Sequence, residues 1–337
     1  QAKLYGSPQD WEVVRDATQA MLGAIPSDDS SAMGHHALGL ALIQLRDRGA
    51  GTEEGVNELR KAYDMQPEEV LHAIDLAEEL VRREKQTDAQ ALYDNLIARH
   101  VEPGAAASKV RTAYAQYLVF QDKKEEADDY FKQAIAIAGD DIPSRREARL
   151  AYAGFLMQSW VKTRRTSQEQ AEALYDSAEK LINESISDDP DAFDSYLQLA
   201  SLYRLAGEYD KVVEVCEKRI VQGLQRKGVE ATQNRLSAFT LMTYASEAAV
   251  TLSVKAASKS DFAQRDRWLA RAEQYVTNAK GEAPSHPMVL SQSGRVKIAR
   301  GQERAGLEDL RASDEAYKSY GKINWDNRLI RARVHLQ

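Results

Sequence analysis

The stretch that decides the fold is Leu199-Ala200-Ser201-Leu202-Tyr203, followed after three residues by Gly207-Glu208-Tyr209-Asp210. Small and bulky residues alternate in it at the spacing of a helix. The same alternation occurs at Tyr114, Ala115 and Leu118. Small residues allow two helices to approach to about 8–10 Å, while bulky residues fill the grooves between them. The pattern therefore predicts closely packed helices.

Proline positions indicate that such helices come in repeated pairs. Proline is excluded from helix interiors because it lacks an N–H group and clashes with the preceding turn. Successive intervals are 41, 36, 40 and 47 residues and then 94, which is twice 47, between Pro26, Pro67, Pro103, Pro143, Pro190 and Pro284. Nothing between these prolines has the pattern of a strand, and each interval has room for two helices. The sequence predicts an all-α chain of repeated helix pairs.

These residues resemble the tetratricopeptide repeat (TPR), in which small and large core positions alternate along two helices. The positions that match in the fifth, third, second and seventh intervals are Leu199, Ala200, Tyr203, Gly207 and Tyr209; Tyr114, Ala115, Leu118, Ala127, Phe131 and Ala134; Leu76, Ala77, Leu80, Ala89 and Tyr93; and Gly294, Gly301, Gly306 and Leu310. The resemblance implies a right-handed α-solenoid of antiparallel helix pairs, because one pair cannot bury its apolar face alone. A HEAT-type helical repeat is the structural alternative.

The resemblance implies one solenoid over residues 1–337, with about seven degenerate repeats. Its expected parts are an N-terminal helix at 9–24, repeats at 31–67, 70–103, 108–143, 144–190, 191–228, 229–284 and 285–320, and the start of a further helix at 324–337. The first, fourth and sixth repeats match only if the turn between their helices is lengthened. Capping boxes are predicted at Thr87, Ser144 and Thr166, each followed three residues later by Gln or Glu. Both ends suggest a segment of a longer chain.

Candidate reactive groups do not converge in the sequence. His35 and His36 are adjacent, so they point about 100° apart on a helix and cannot share a metal ion as an i, i+4 pair could; solvated or capping roles are expected for the histidines. The glycines of 49–55 lack the spacing and the preceding strand of a dinucleotide loop, which predicts a turn between helices. Cys216 is expected in the core. We predict no enzyme, no metal site and no cofactor.

Composition limits the class of partner and the compartment. The formal net charge of −7 argues against general nucleic-acid binding. No run of about 18 apolar residues is present, which argues against membrane insertion. A soluble chain is expected, and a single cysteine is compatible with the cytoplasm or with an oxidising compartment.

In the TPR family the first helices of successive repeats line a concave groove that meets the ligand. The residues that the resemblance places there, together with Trp160 beside the fourth turn, are Lys109, Thr112, Gln116, Met157, Trp160, Asp194, Leu197, Ser201 and Arg204. Trp160 precedes Lys162, Arg164 and Arg165, so it either covers the turn or forms a contact patch for an acidic partner.

The leading hypothesis is a non-catalytic protein–protein interaction scaffold that binds a partner protein or peptide through this groove or through the solenoid edges. The alternative is a structural spacer in a larger envelope or secretion-type assembly. Apolar residues on the end helices also predict self-association: Trp11 and Leu22 near the N-terminus, and Leu329, Ile330 and Val334 near the C-terminus.

Overall fold

The chain is all-α, as predicted. The computed structural model describes residues 8–24, 29–45, 52–224, 229–319 and 324–335, and within these ranges it contains sixteen α-helices and no strand. The chain divides into two compact units, Gln1–Leu156 and Met157–Gln337.

The helices of the first unit are α1 (Pro8–Ala24), α2 (Asp29–Gln44), α3 (Thr52–Met65), α4 (Val70–Arg82), α5 (Gln86–Arg99), α6 (Ala105–Phe120) and α7 (Lys124–Ile137), followed by α8 (Ile142–Thr163), within which the division falls. Within the series from α1 to α7 each helix packs against its successor, and α4 also packs against α6. A first helix therefore contacts the first helix of the following pair, as in a repeat array.

The helices of the second unit after α8 are α9 (Gln168–Asp188), α10 (Phe193–Ala206), α11 (Tyr209–Leu224), α12 (Val229–Ser258), α13 (Phe262–Glu282), α14 (Pro287–Ala299), α15 (Glu303–Ser319) and α16 (Trp325–His335). The arrangement of the first unit is repeated, since α10 packs against α12 as well as α11, and α12 packs against α14 as well as α13.

Five of the turns between paired helices share one backbone conformation. A residue with φ between 58° and 80° ends the first helix of each pair, and the next N–H donates to the carbonyl five residues earlier at 2.9–3.0 Å. This hydrogen bond is the Schellman cap, which needs a left-handed residue. The left-handed residues are Glu84, Asp122, Gly207, Ser260 and Gly301.

The prediction of lengthened turns in the fourth and sixth repeats is wrong, because the additional residues extend the helices. Helices α8 and α9 have 22 and 21 residues, and α12 and α13 have 30 and 21. Ser246 Oγ donates to the Ala272 carbonyl at 3.4 Å, 26 residues away, as Ser108 Oγ does to the Ala134 carbonyl at 2.9 Å. The sixth pair therefore has the same register around its turn as the third pair. Its additional residues extend the helices because each residue in a helix satisfies its own backbone hydrogen-bonding groups.

In the first repeat, α2 ends at Gln44 and α3 begins at Thr52. The predicted glycine turn at 49–55 is only partly within the described residues: 49–51 lie outside them, and Gly55 is inside α3, so that part of the prediction is wrong. Gly55 faces Gly39 of α2, where a Cβ on Gly39 would lie 2.8 Å from the Gly55 carbonyl oxygen. Gly55 therefore allows α2 and α3 to pack closely against each other.

The N-terminal helix uses its apolar side chains within the unit. Trp11 is buried against Ala41 and Leu45. A Cβ on Gly34 of α2 would lie 2.8 Å from the Leu22 side chain, so Leu22 packs closely against α2. The exposed self-association surface predicted at Trp11 is therefore absent, because α2 already covers it.

At the other end, Leu329 of α16 is 58% exposed, while Ile330 and Val334 are half-buried. Self-association through α16 stays a prediction.

Candidate functional site

The predicted groove residues of the first unit lie along one face of α6. Lys109, Thr112 and Gln116 are spaced by three and four residues, which places them on neighbouring turns. Gln116 is exposed and Lys109 half-buried. Thr112 is buried, and its hydroxyl has no hydrogen-bond partner in the part of the chain that the structure describes. This face is open at one end and closed at its centre.

The other predicted residues belong to the second unit. Asp194, Leu197, Ser201 and Arg204 follow each other along one face of α10, with Asp194 exposed and the other three half-buried. From α8, Met157 contacts this helix, since its Sδ lies 4.0 Å from Gln198 Nε2. Trp160, also from α8, is only 8% exposed and packs on Tyr175 of α9.

Arg204 begins a chain of alternating charges that joins four helices of this unit. Its guanidinium lies 3.8 Å from Glu247 of α12, and Arg295 of α14 lies 3.7 Å from the same carboxylate oxygen. Arg295 also approaches Asp326 of α16 at 3.6 Å. With Gln292 of α14, which lies three residues before Arg295, these residues are called the arginine face: Arg204, Glu247, Gln292, Arg295 and Asp326.

The arginine face contains buried polar atoms that lack partners. Arg204 Nε, Arg295 Nε and Gln292 Oε1 make no hydrogen bond to the described residues. Its ion pairs, at 3.6–3.8 Å, are longer than the 2.7–3.2 Å typical of N–H···O hydrogen bonds. This face therefore has two donors and one acceptor that a ligand could satisfy. Binding of such a ligand is favoured because a buried polar group without a partner is costly.

Sequence reasoning identified Arg204 and missed the other members of the arginine face. Glu247 lies on the first helix of the sixth repeat, whose register the sequence placed wrongly by assuming a long turn. Arg295 was accessible from the sequence, because it follows Gly294 as Glu78 follows Ala77 in the matching second repeat, and the resemblance to the TPR places Glu78 in the groove. That correspondence was the available signal.

Two histidines of the first unit form pairs between helices, which the expected solvated or capping role did not include. His35 Nδ1 lies 2.5 Å from Glu58 of α3, and His36 Nε2 lies 2.7 Å from Asp75 of α4. Burial, followed by the charge of nearby His36, lowers the pKa of His72. In the second unit His286 does act as a cap, because its Nδ1 accepts from the Met288 N–H at 3.3 Å. Across the described ranges, no three or more His, Cys, Asp or Glu side chains are grouped so as to hold a metal ion.

Cys216 is fully buried, which confirms the predicted core position, and burial raises the pKa of its thiol. A buried thiol with a raised pKa is a poor nucleophile. None of the helices within the described ranges is long and apolar enough to cross a bilayer.

No protein-family model matches the chain, and no curated protein matches it. Solved structures do. Yeast Tom70 is similar at a TM-score of 0.57 and 13% identity over 92% of this chain, which spans 55% of that structure.

A tetratricopeptide repeat protein from Parabacteroides merdae is similar at a TM-score of 0.47 and 13% identity, covering 90% of this chain and 98% of its own. A human IFIT1 dimer solved with PPP-AAAA is similar at 0.46 and 15%, covering 90% of this chain and 68% of its own. At such low identity the likeness to Tom70 concerns the fold alone, and it agrees with the helix pairs and their shared turns. The chain has the fold of a tetratricopeptide repeat protein.

Proposed function

We propose that the chain is a non-catalytic scaffold that binds a segment of a partner protein on the arginine face. The observation that carries this proposal is the set of unsatisfied buried atoms at Arg204, Gln292 and Arg295. Two N–H donors and one amide oxygen acceptor lie on first helices whose charged groups meet at Glu247. A polypeptide backbone offers a carbonyl acceptor and an N–H donor at every residue, so it can satisfy both kinds of group.

The ion pairs of the arginine face are long enough that groups from a partner can replace them. Glu247 is shared between Arg204 and Arg295 without a short hydrogen bond to either. Asp326 is 73% exposed, so its pairing with Arg295 is screened by solvent. An acidic or amide side chain from a partner can replace these long contacts with shorter ones, since charge-assisted hydrogen bonds form at about 2.7–2.9 Å.

The test is capture of partners from cell extract by the immobilised chain and by two charge-reversal variants. Arg204→Glu changes the arginine face, while Arg304→Glu is the control, because the Arg304 side chain of α15 is 96% exposed. We expect at least one protein to be retained by the wild type and by Arg304→Glu, and to be reduced about tenfold or more with Arg204→Glu, which corresponds to about 1.4 kcal/mol.

A third variant, Lys109→Glu, tests the α6 face of the first unit, and we expect it to capture the same proteins as the wild type. Circular dichroism of all variants verifies folding. If Arg204→Glu captured every protein at the wild-type level, binding on the arginine face would be wrong. The spacer alternative remains a second prediction, and no contact among the described residues favours it over the scaffold.

A further inference from the structure

A small cavity of about 250 Å³ lies in the second unit, between the end of α8, the start of α9 and the turn that joins α10 to α11. It is called the Trp160 pocket. The residues that determine its chemistry are Trp160, Arg164, Glu172, Tyr175, Asp176 and Glu208. The pocket borders α8 and α9, whereas Arg204 reaches α12, so it is separate from the arginine face.

Two aromatic rings form the wall of the pocket. Trp160 and Tyr175 have ring centroids 5.7 Å apart, and the Arg164 guanidinium lies over the indole at 5.0 Å while it donates to the Leu205 carbonyl at 3.1 Å. Trp160 is 8% exposed, and its indole N–H has no acceptor among the described residues. Tryptophan normally finds a partner for this N–H, so the group is left as a donor for a ligand.

Negative charge surrounds these rings and is only partly neutralised. Glu208 accepts from the Tyr175 hydroxyl at 2.6 Å and pairs with Lys211 at 3.0 Å. Glu172 and Asp176 are both exposed and four residues apart on α9, an arrangement of like charges that is destabilising by itself. Asp176 has no ion pair or hydrogen bond within the described chain, and Glu172 accepts only from Gln168. Three carboxylates therefore line the pocket beside a single guanidinium.

We infer that the Trp160 pocket binds one arginine side chain of a partner protein. A guanidinium can stack on an aromatic ring and donate to two carboxylates at once, which lysine cannot do in the same way. The carboxylates of Glu172 and Asp176 supply the acceptors, and the indole N–H of Trp160 can donate to the backbone carbonyl of the same arginine. The volume suits a single side chain, because pockets for drug-sized ligands range from about 300 to 1,000 Å³.

This proposal differs from the sequence-based alternative of a patch for an acidic partner at Trp160, which stays a prediction. Of the three cations that suggested it, Arg164 is stacked on the indole, and Lys162 and Arg165 are exposed and do not line the cavity. The carboxylates that do line it come from α9 and from the turn after α10 and favour a cation. Binding here does not require binding on the arginine face, so the two proposals fail separately.

The test follows the indole N–H signals of the ¹⁵N-labelled full chain by NMR during titration with acetyl-Gly-Arg-Gly-amide. The Trp160→Phe variant assigns the Trp160 signal. The control peptide carries citrulline, which keeps the shape of arginine without its charge. We expect the arginine peptide to shift the Trp160 signal in a saturable way, and the citrulline peptide to leave it unchanged.

The double variant Glu172→Gln/Asp176→Asn is expected to bind the arginine peptide about fivefold more weakly, because two solvent-exposed ion pairs are lost. Its matched control is Glu125→Gln/Asp129→Asn, which removes two exposed carboxylates at the same spacing on α7 and should bind as the wild type does. Equal binding of citrulline, wild-type affinity in the Glu172/Asp176 variant, or no shift of Trp160 with arginine would each overturn the proposal.

Discussion

The second and seventh helix pairs have the same register and different residues at their contact points. Their first helices, α4 and α14, each have 13 residues. In the second pair the close-contact and turn positions are Ala77, Ala89 and Glu84, and a buried aromatic, Tyr93, follows them in the second helix. In the seventh pair the matching residues are Gly294, Gly306, Gly301 and Leu310.

The comparison shows that the turn conformation is constant while the helix contact varies. Glu84 and Gly301 both have positive φ, at 60° and 79°. Around Gly294, however, the Gly306 carbonyl oxygen and the Leu310 side chain lie 2.7 and 2.8 Å from the place of a Cβ. The seventh pair therefore has no room for the alanine that the second pair uses, because its neighbouring helix occupies that space.

The largest expected effect is that of Gly294→Ala. Its Cβ would meet the Gly306 backbone oxygen, which can move only with α15. Overpacking costs about 1–3 kcal/mol, and the gain in helix propensity returns up to about 1 kcal/mol, so we expect the free energy of unfolding to fall by about 1–2 kcal/mol in urea denaturation. Gly281→Ala is the control, since nothing lies within 4 Å of its added Cβ. If Gly294→Ala left the free energy of unfolding unchanged, the two pairs would tolerate the same residues at this position.

Substitutions at the turn position should change the stability of the protein in opposite directions in the two pairs. Gly301→Ala places a Cβ at positive φ and is expected to destabilise by about 1 kcal/mol. Glu84→Gly removes that strain from the second pair, against the entropy that glycine adds to the unfolded chain, and is expected to stabilise by about 0.5 kcal/mol.

The control for the turn exchange is Glu84→Ala, which keeps the strained conformation and should give no stabilisation. Thermal denaturation of the four proteins measures these differences. Stabilisation by Glu84→Ala equal to that by Glu84→Gly would mean that the glutamate side chain, and not its φ, is unfavourable.

The smallest expected effect concerns the helix caps and pH. Glu69 accepts from the Leu71 N–H at the start of α4, and His286 accepts from the Met288 N–H at the start of α14. Burial lowers the pKa of His286 below its ordinary value of 6.5. The unfolded chain therefore takes up the proton first as pH falls, so the contribution of His286 to stability is complete above 6.5 and is lost as pH falls through its folded pKa.

His286→Asn keeps a capping side chain that does not titrate. We expect the loss of stability between about pH 8 and pH 5, measured by urea denaturation, to be smaller in this variant than in the wild type. His72→Asn is a separate comparison for the buried histidine of α4, whose pKa is also lowered. An identical pH profile for His286→Asn and the wild type would contradict the role of the cap.

Helix starts were predicted less well than helix pairs. Helix α5 begins at Gln86 after Lys85, which makes no side-chain cap, so the box at Thr87 does not form. Asp141 accepts from the Ser144 N–H, and Ser167 rather than Thr166 caps α9. A hydroxyl followed by Gln or Glu is too common a pattern to choose among neighbouring residues, and the Schellman turn at Glu84 determines where α5 can start.

The candidate site depended on register, which sequence patterns resolve only where the repeat has its usual length. Arg204 was found because the fifth repeat has that length, whereas Glu247 was missed because α12 extends to 30 residues. Similarly, Trp160 was selected for the basic residues that follow it in sequence. The carboxylates beside it come from another helix and a distant turn, so they could not be read from its neighbourhood.

The helical class, the pairing of helices and their small-to-large packing follow from local chemistry in the sequence, because proline, glycine and apolar spacing act over a few residues. The length of the helices in the fourth and sixth repeats, the charge chain from Arg204 to Asp326 and the acidic lining around Trp160 were decided by packing between helices. Those features depend on which residues from separate segments come within a few ångströms of each other, and that distance is a property of the folded chain.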